Sequence, residues 1–398
     1  MRPLPKDKDL MTQQSPTDHG NPLRQIIQHT IDERGGIPFG DYMELCLYHP
    51  QHGYYMSQRQ RVGAKGDFFT SSSVHHLFGG LIARQLHEMW QLLGAEDFTL
   101  VEQGAGDGFL ALDILDTLAE QFPEMYERTY YVLIDVSEDN RQRQQQNLSV
   151  HSDHVTWQAF NDLQPFCGCF LSNELIDAFA VSLFEKHDGH YQEVFVVNGE
   201  DGFCEELRPA DQDMLNRHFQ LVGAALLEGN RGEVCFSAQR WMTDVAEKLQ
   251  RGFVITIDYG YPAQELYAPF RRQGSLLCYY QHTANDNPYQ NVGCQDITSH
   301  IDFTLLQRCG EQAGLDVLHF TEQYRFLIGL GFVEQLMALQ AQETDPRRAM
   351  ALRMTLKNLI LPDGGMGETF KVLVQGKGVG HPALQCQRKI SEISALSV

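Results

Sequence analysis

Acidic side chains end four apolar runs of this chain: Glu102, Asp135, Glu174 and Asp258. A carboxylate at a strand end can accept hydrogen bonds from hydroxyls, hold a cation or take up a proton. Asn173, Glu174 and Asp177 form the densest such group. With Glu174 and Asp177 one helical turn apart, both would face the same way, suited to gripping a positively charged group and accepting a proton from it. The competing reading is that these two acids only cap the helix that follows.

A glycine loop directly follows Glu102, with Gly104, Gly106 and Gly108 at alternating positions and Ala105 between them. Glycine lets the chain turn sharply and a ligand approach closely, and the helix N-terminus beyond it offers free N–H groups. A dinucleotide fingerprint would need glycine where Phe109 stands. That spacing disfavours a nicotinamide-linked oxidoreductase. Glu-x-Gly-x-Gly-x-Gly instead resembles the S-adenosylmethionine loop of class I methyltransferases. Asp135 at the end of the second strand can accept bonds from both hydroxyls of a ribose. A helix-capping role competes for it, although Ser137 is equally placed to cap. Asn161, after the third strand, stands where methyltransferases often place a polar contact to adenine, and a simple turn is the alternative.

These residues need a sheet whose strand ends converge. Residues 100–102, 130–136, 155–160, 167–174, 253–259, 317–320 and 368–375 read as seven strands separated by helices, the last arriving as a hairpin partner. In such sheets ligands sit beyond the carboxyl ends of the strands, near the switch between the first and fourth. More than ninety residues precede the first strand, further than the core requires. They include an aromatic, broken passage at 37–57 and a helix over about 74–94 capped by Ser71, Ser72 or Ser73. Alternation around Asp188-Gly189 predicts a β-hairpin. Residues 274–303 form a second irregular passage carrying His282, Asp296 and His300.

Composition narrows the partners. A net charge of −21 with no basic block argues against nucleic acid. Nine scattered cysteines without zinc spacing read as reduced, packing thiols, and no metal site is expected. The first residues lack the apolar stretch of a secretory signal, no run approaches the roughly 20 apolar residues of a membrane span, and the cytoplasm is the default expectation.

Longer blocks carry a resemblance: IPFGDYMELCLYHPQHGYY at 37–55, GDFFTSSSVHHLFGGLIARQL at 66–86, VEQGAGDGFLALDIL at 101–115, SNELIDAF at 172–179, IDYGY at 257–261 and GCQDITSHIDF at 293–303. Together they resemble the MidA family of methyltransferases, whose mitochondrial members assist respiratory complex I assembly. The resemblance implies a Rossmann-like α/β fold, an S-adenosylmethionine cofactor and methylation of protein arginine. It also implies that Gly66, Asp67, Phe68 and Thr70 cover the cofactor as a lid. A small-molecule methyltransferase and a non-catalytic assembly factor stay open as alternatives, and a homodimer is a further partner expectation. The expected organisation is a disordered leader (1–21), an N-terminal lid or substrate module (22–95) and a core (96–323) with a hairpin insertion near 181–235. A helical insertion (324–366), the last strand (367–378) and a tail (379–398) complete it.

Overall fold

The computed structural model describes residues 20–57, 75–357, 359–360 and 367–389. Its centre is a sheet of seven main strands: β1 (Phe98–Gln103), β2 (Thr129–Ile134), the short β3 (Val155–Trp157), β4 (Phe166–Asn173), β5 (Leu249–Tyr261), β6 (Asp316–Glu322) and β7 (Phe370–Lys377). They run β6-β7-β5-β4-β1-β2-β3 across the sheet. β1 to β5 are mutually parallel, and β7 lies antiparallel between β5 and β6. A two-residue strand, Ile301–Asp302, extends the pairing beside the end of β5. This is the seven-stranded order expected of a class I methyltransferase.

The central strands are apolar on both faces because helices cover both, as a parallel sheet requires. On one face, helix α1 (Leu77–Leu92) and helix α2 (Phe109–Gln121) pack Phe78, Leu81, Ile114 and Leu118 onto Leu100, Tyr131 and Ile255. On the other, helix α3 (Phe236–Lys248) and helix α4 (Phe303–Gln312) pack Trp241, Val245 and Leu306 onto Val101, Phe170 and Val254. Helices Gln323–Gly329, Phe332–Gln342 and Pro346–Lys357 follow β6.

The stretch before β1 divides between two places. Helix α1 belongs to the core of the sheet, whereas Pro22–Arg34 and Phe39–Tyr48 build a separate apolar cluster with Leu183, Val194, Val196 and Ile297. The expected single unit over 22–95 is therefore split, because the apolar stripe of α1 is wide enough to bury against α2 and the sheet. The serines expected to cap α1 lie outside the described residues.

An antiparallel sheet follows β4, built from Ser182–His187, His190–Asn198, Phe203–Pro209 and Arg231–Val234. Its first hairpin turns at Asp188 and Gly189, both with positive φ (51° and 77°), as a tight two-residue hairpin demands. Ile37 pairs with Val196 at its other side, sewing the N-terminal helices to this sheet.

The last described residues do not run free. Leu384 and Cys386 are buried, and Gln385–Gln387 forms a 3-10 turn against α1. There the wholly buried Gln85 accepts from Cys386 N (3.1 Å), and Glu88 accepts from Gln385 N (2.9 Å). Gln85→Leu would strand that buried N–H and should destabilise the fold by about 1–3 kcal/mol in urea unfolding. An unchanged midpoint and slope would show that the turn contributes nothing to stability.

Candidate active site

The glycine loop leaves β1 at Gln103 and enters α2 at Phe109. Gly104, Gly106 and Gly108 have φ of 76°, 54° and 80°, the left-handed region that a side chain resists. Gly104 N donates to Ile134 O (2.9 Å), joining the loop to the end of β2. At Gly106, a Cβ would meet nothing within 4 Å, so the turn opens into space where a ligand can lie against backbone. Beneath it, Glu102 is 2% exposed and accepts from Tyr131 OH (2.6 Å). Burial pushes this carboxyl up to about 7; the Tyr131 bond opposes the shift and the Asp135 charge adds to it.

Asp135 stands beside the loop and is oriented from several directions. Its carboxylate accepts from Ser137 N (2.9 Å), from Gln144 Nε2 (2.9 Å) and, at 3.2 and 3.3 Å, from Asn140 Nδ2. Ser137, not Asp135, caps the following helix through Asn140 N. Gln144 is the hub that the sequence reading missed. Fully buried, it also donates to Gly106 O (2.9 Å) and accepts from Trp157 Nε1 (2.9 Å). Its helix, EDNRQRQQQN, is polar all round, so nothing in the pattern marks one glutamine as buried.

The second half of the site lies at the ends of β4 and β5. The expected helical turn from Glu174 to Asp177 is not there. Glu174 has φ of 52°, and a short 3-10 turn, Ile176–Ala178, follows. The cause is Asp258 of β5, 1% exposed, whose Oδ2 accepts from Leu175 N (3.3 Å), Ile176 N (2.9 Å) and Asp177 N (3.3 Å). A carboxylate reaching in from the next strand thus takes the N–H groups that a local cap would have held, and the chain tightens around it. Asp177 is left to face Tyr259, whose hydroxyl donates to its Oδ2. Its Oδ1 is buried without a hydrogen-bond partner among the described residues, as is Asn173 Oδ1, while Asn173 Nδ2 donates to Glu174 Oε1 (3.2 Å). Burial pushes Asp177 up to about 6, against the pull of the Tyr259 bond, and raises Asp258 well above the carboxylate range with the Asp177 charge adding to it.

The passages at 37–57 and 274–303, expected to be irregular but holding the helix Phe39–Tyr48 and a small antiparallel sheet of Leu277–Tyr280, Thr283–Asn285 and Asp296–Thr298, close around this end. Tyr48 OH donates to Ala178 O (3.0 Å), Tyr55 OH to Asp296 Oδ1 (2.9 Å), and Ser299 N to Asp177 O (3.1 Å). His300 sits edge-on to Tyr259 with ring centres 5.6 Å apart, and burial lowers it to about 4. His49 and His52 stack on each other, and Tyr54 is wholly buried. Asn161 falls in an exposed 3-10 turn, Phe160–Asp162, after β3. Gly66, Asp67, Phe68 and Thr70, the expected lid, lie outside the described residues. Among the described residues no group of three or more His, Cys, Asp or Glu could hold a metal ion, and no helix is long and apolar enough to cross a membrane.

Comparison with known proteins decides the class. Residues 81–321, more than half of the chain, match the family described as "Putative S-adenosyl-L-methionine-dependent methyltransferase". The chain belongs to that family, the MidA-type methyltransferases. A solved Burkholderia thailandensis protein bound to S-adenosyl-homocysteine is 30% identical, with a TM-score of 0.83 over 94% of this chain and 97% of its own. The Drosophila melanogaster protein named "Protein arginine methyltransferase NDUFAF7 homolog, mitochondrial" is 28% identical over 94% of this chain and 89% of its own length. Its human counterpart is 25% identical over 88% and 83%. S-adenosylmethionine is accordingly the cofactor of this methyltransferase. The cytoplasmic expectation is overturned, since these relatives are named mitochondrial.

The site fits that cofactor, because the loop is open at Gly106 and an oriented carboxylate stands beside it. Gly106→Val would fill the opening and should weaken S-adenosyl-homocysteine binding about 100-fold or more by calorimetry, beyond the fall of about 1–2 kcal/mol in stability that a side chain at φ of 54° costs. Retained affinity would mean the cofactor lies elsewhere. A second outcome concerns Glu102. An acid whose pKa is higher folded than unfolded stabilises most at low pH and loses that stability as pH rises. For Glu102 the window runs from its ordinary 4.5 to about 7. Glu102→Gln, which still offers Tyr131 an acceptor, should therefore remove up to about 3 kcal/mol of the wild-type fall in unfolding free energy between pH 4.5 and 7.5. Identical pH profiles would show that Glu102 titrates normally.

Proposed function

We propose that this methyltransferase places the methyl group on an arginine side chain of a protein, with Glu174, Asp177 and Asn173 receiving the guanidinium. The observation that supports this most is Asp177: a buried carboxylate with one oxygen unpartnered among the described residues, beside Glu174 and one strand end from the glycine loop. Burying a carboxylate is costly unless it is paired, and a cationic acceptor supplies the pair. The relatives named as protein arginine methyltransferases support the same acceptor, and the net charge of −21 favours a cationic protein segment over nucleic acid.

On this reading Glu102, Gly104, Ala105, Gly106, Gly108 and Asp135 hold the cofactor. Asp135 would take the ribose hydroxyls in exchange for its long Asn140 contacts. Asn161, from its exposed turn, is proposed to meet the adenine edge, with Gly66, Asp67, Phe68 and Thr70 as the cover. When bound, the cofactor supplies a methyl group on a positively charged sulfur. The residues of this chain do the rest. They hold a planar cation in line with that methyl, and a carboxylate takes the proton that the guanidinium releases, because the methylated product keeps a single positive charge. Glu174, half-buried and held by Ile257 O accepting from its backbone N–H at 2.9 Å, is the proposed proton acceptor.

Incorporation of label from methyl-tritiated cofactor into proteins of a cell extract tests these roles. Glu174→Gln should keep S-adenosyl-homocysteine affinity while label incorporation falls about 100-fold or more; normal incorporation would remove Glu174 from the chemistry. In the wild type, kcat/KM for the acceptor should fall as pH drops below about 6, where Asp177 takes up a proton and can no longer attract a cation. Asp177→Asn should lower activity and abolish that acid limb, and an unchanged limb would assign the titration to another group.

A further inference from the structure

The N-terminal helices are not needed to build the sheet, yet Tyr48 and Tyr55 from this stretch bond Ala178 O and Asp296 beside the acceptor carboxylates. Tyr48 ends helix Phe39–Tyr48, and Tyr55 lies in the 3-10 turn Tyr54–Met56. Their rings stack, with centres 5.4 Å apart and planes 22° from parallel. Each hydroxyl is anchored on a different side of the site: Tyr48 on Ala178 O, the residue after Asp177, and Tyr55 on Asp296, which is 2% exposed. Both tyrosines are half-buried, and Tyr54 packs edge-to-face with Tyr55, ring centres 5.1 Å apart. Asp177 Oδ1 and Asn173 Oδ1, each on a residue at least nine-tenths buried and each without a partner among the described residues, lie at the turn that Tyr48 holds.

We propose that Tyr48 and Tyr55 form the wall of the acceptor pocket and make it selective for a flat guanidinium over the ammonium of lysine. The inference rests on the arginine reading above and assigns the source of its specificity. A guanidinium can lie flat on an aromatic face while its edge N–H groups reach carboxylates in the same plane; a lysine ammonium is compact, strongly hydrated and has no plane to match. The phenols suit that task. Burial, then the charge of Asp296, raises both well above their ordinary range, so they stay neutral and donate. Tyr48 also feels Asp177 on the acceptor side and Asp135 beside the loop, which places it between the two halves of the site.

The test is calorimetric titration of Gly-Arg-Gly and Gly-Lys-Gly peptides into protein saturated with S-adenosyl-homocysteine. Wild type should prefer the arginine peptide by about tenfold. Tyr48→Leu should reduce that preference to threefold or less with S-adenosyl-homocysteine affinity intact, and Tyr48→Phe should restore most of it because the ring returns. Tyr55→Leu gives the same comparison should the first variant fail to bind S-adenosyl-homocysteine. A wild-type protein with no preference, or one favouring lysine, overturns the arginine reading itself. Preference present in wild type and undiminished in both leucine variants overturns the wall alone, as does a Tyr48→Phe variant no better than Tyr48→Leu.

Discussion

Asp258 is almost wholly buried, and its carboxylate gathers the backbone N–H groups of Leu175, Ile176, Asp177 and, at 2.9 Å, Tyr259. Those bonds tie the end of β5 to the chain leaving β4. They hold Glu174 in a left-handed conformation that a non-glycine residue adopts only under outside constraint. With them, Asp177 is drawn down onto Tyr259 and Glu174 is left at the rim. One buried acid sets the positions of both.

Such a concentration of carboxylates destabilises the empty protein. Glu102, Asp177, Asp258 and Asp302 are all pushed upward, burial being the largest cause each time. Asp258 and Asp302 are offset by the backbone N–H groups they accept and Glu102 by Tyr131, whereas Asp177 keeps one oxygen without a partner among the described residues. Acids at strand ends, beside a glycine loop that is open at Gly106, are the pattern of a site that trades stability for cation binding. The passages around 37–57 and 274–303 have the same logic. Their backbone follows the positions of Tyr48, Tyr55, Asp296 and His300 around the acids, and their own apolar residues, such as Ile37, Phe39, Cys278 and Ile297, bury in a cluster apart from the sheet.

The fold was largely legible because strands buried on both faces announce themselves. FTLVE, YYVLID and FVITID are short apolar runs ending in acids, and glycines mark the first turn. The glycine loop and the acid after β2 were legible for the same reason, since both are local in sequence. Gln144 was not, because its role depends on a helix landing over the loop. The geometry of Glu174 and Asp177 was misread because a spacing of three residues suggests a helical turn unless a partner is known to intervene. That partner, Asp258, lies more than eighty residues away. The residues after 379 looked like a polar tail, and the surfaces of α1, of the helix Gln323–Gly329 and of β6 explain why Leu384 and Cys386 are buried.

The account stands on the identity of the atom that receives the methyl group. Mass spectrometry of a cell extract treated with this protein and S-adenosylmethionine carrying a trideuterated methyl group identifies that atom directly. The account predicts the deuterated methyl on guanidinium nitrogens of arginine in one or a few proteins, absent when Glu174→Gln replaces the wild type. Label found on lysine, on a carboxylate or only in small molecules would contradict it.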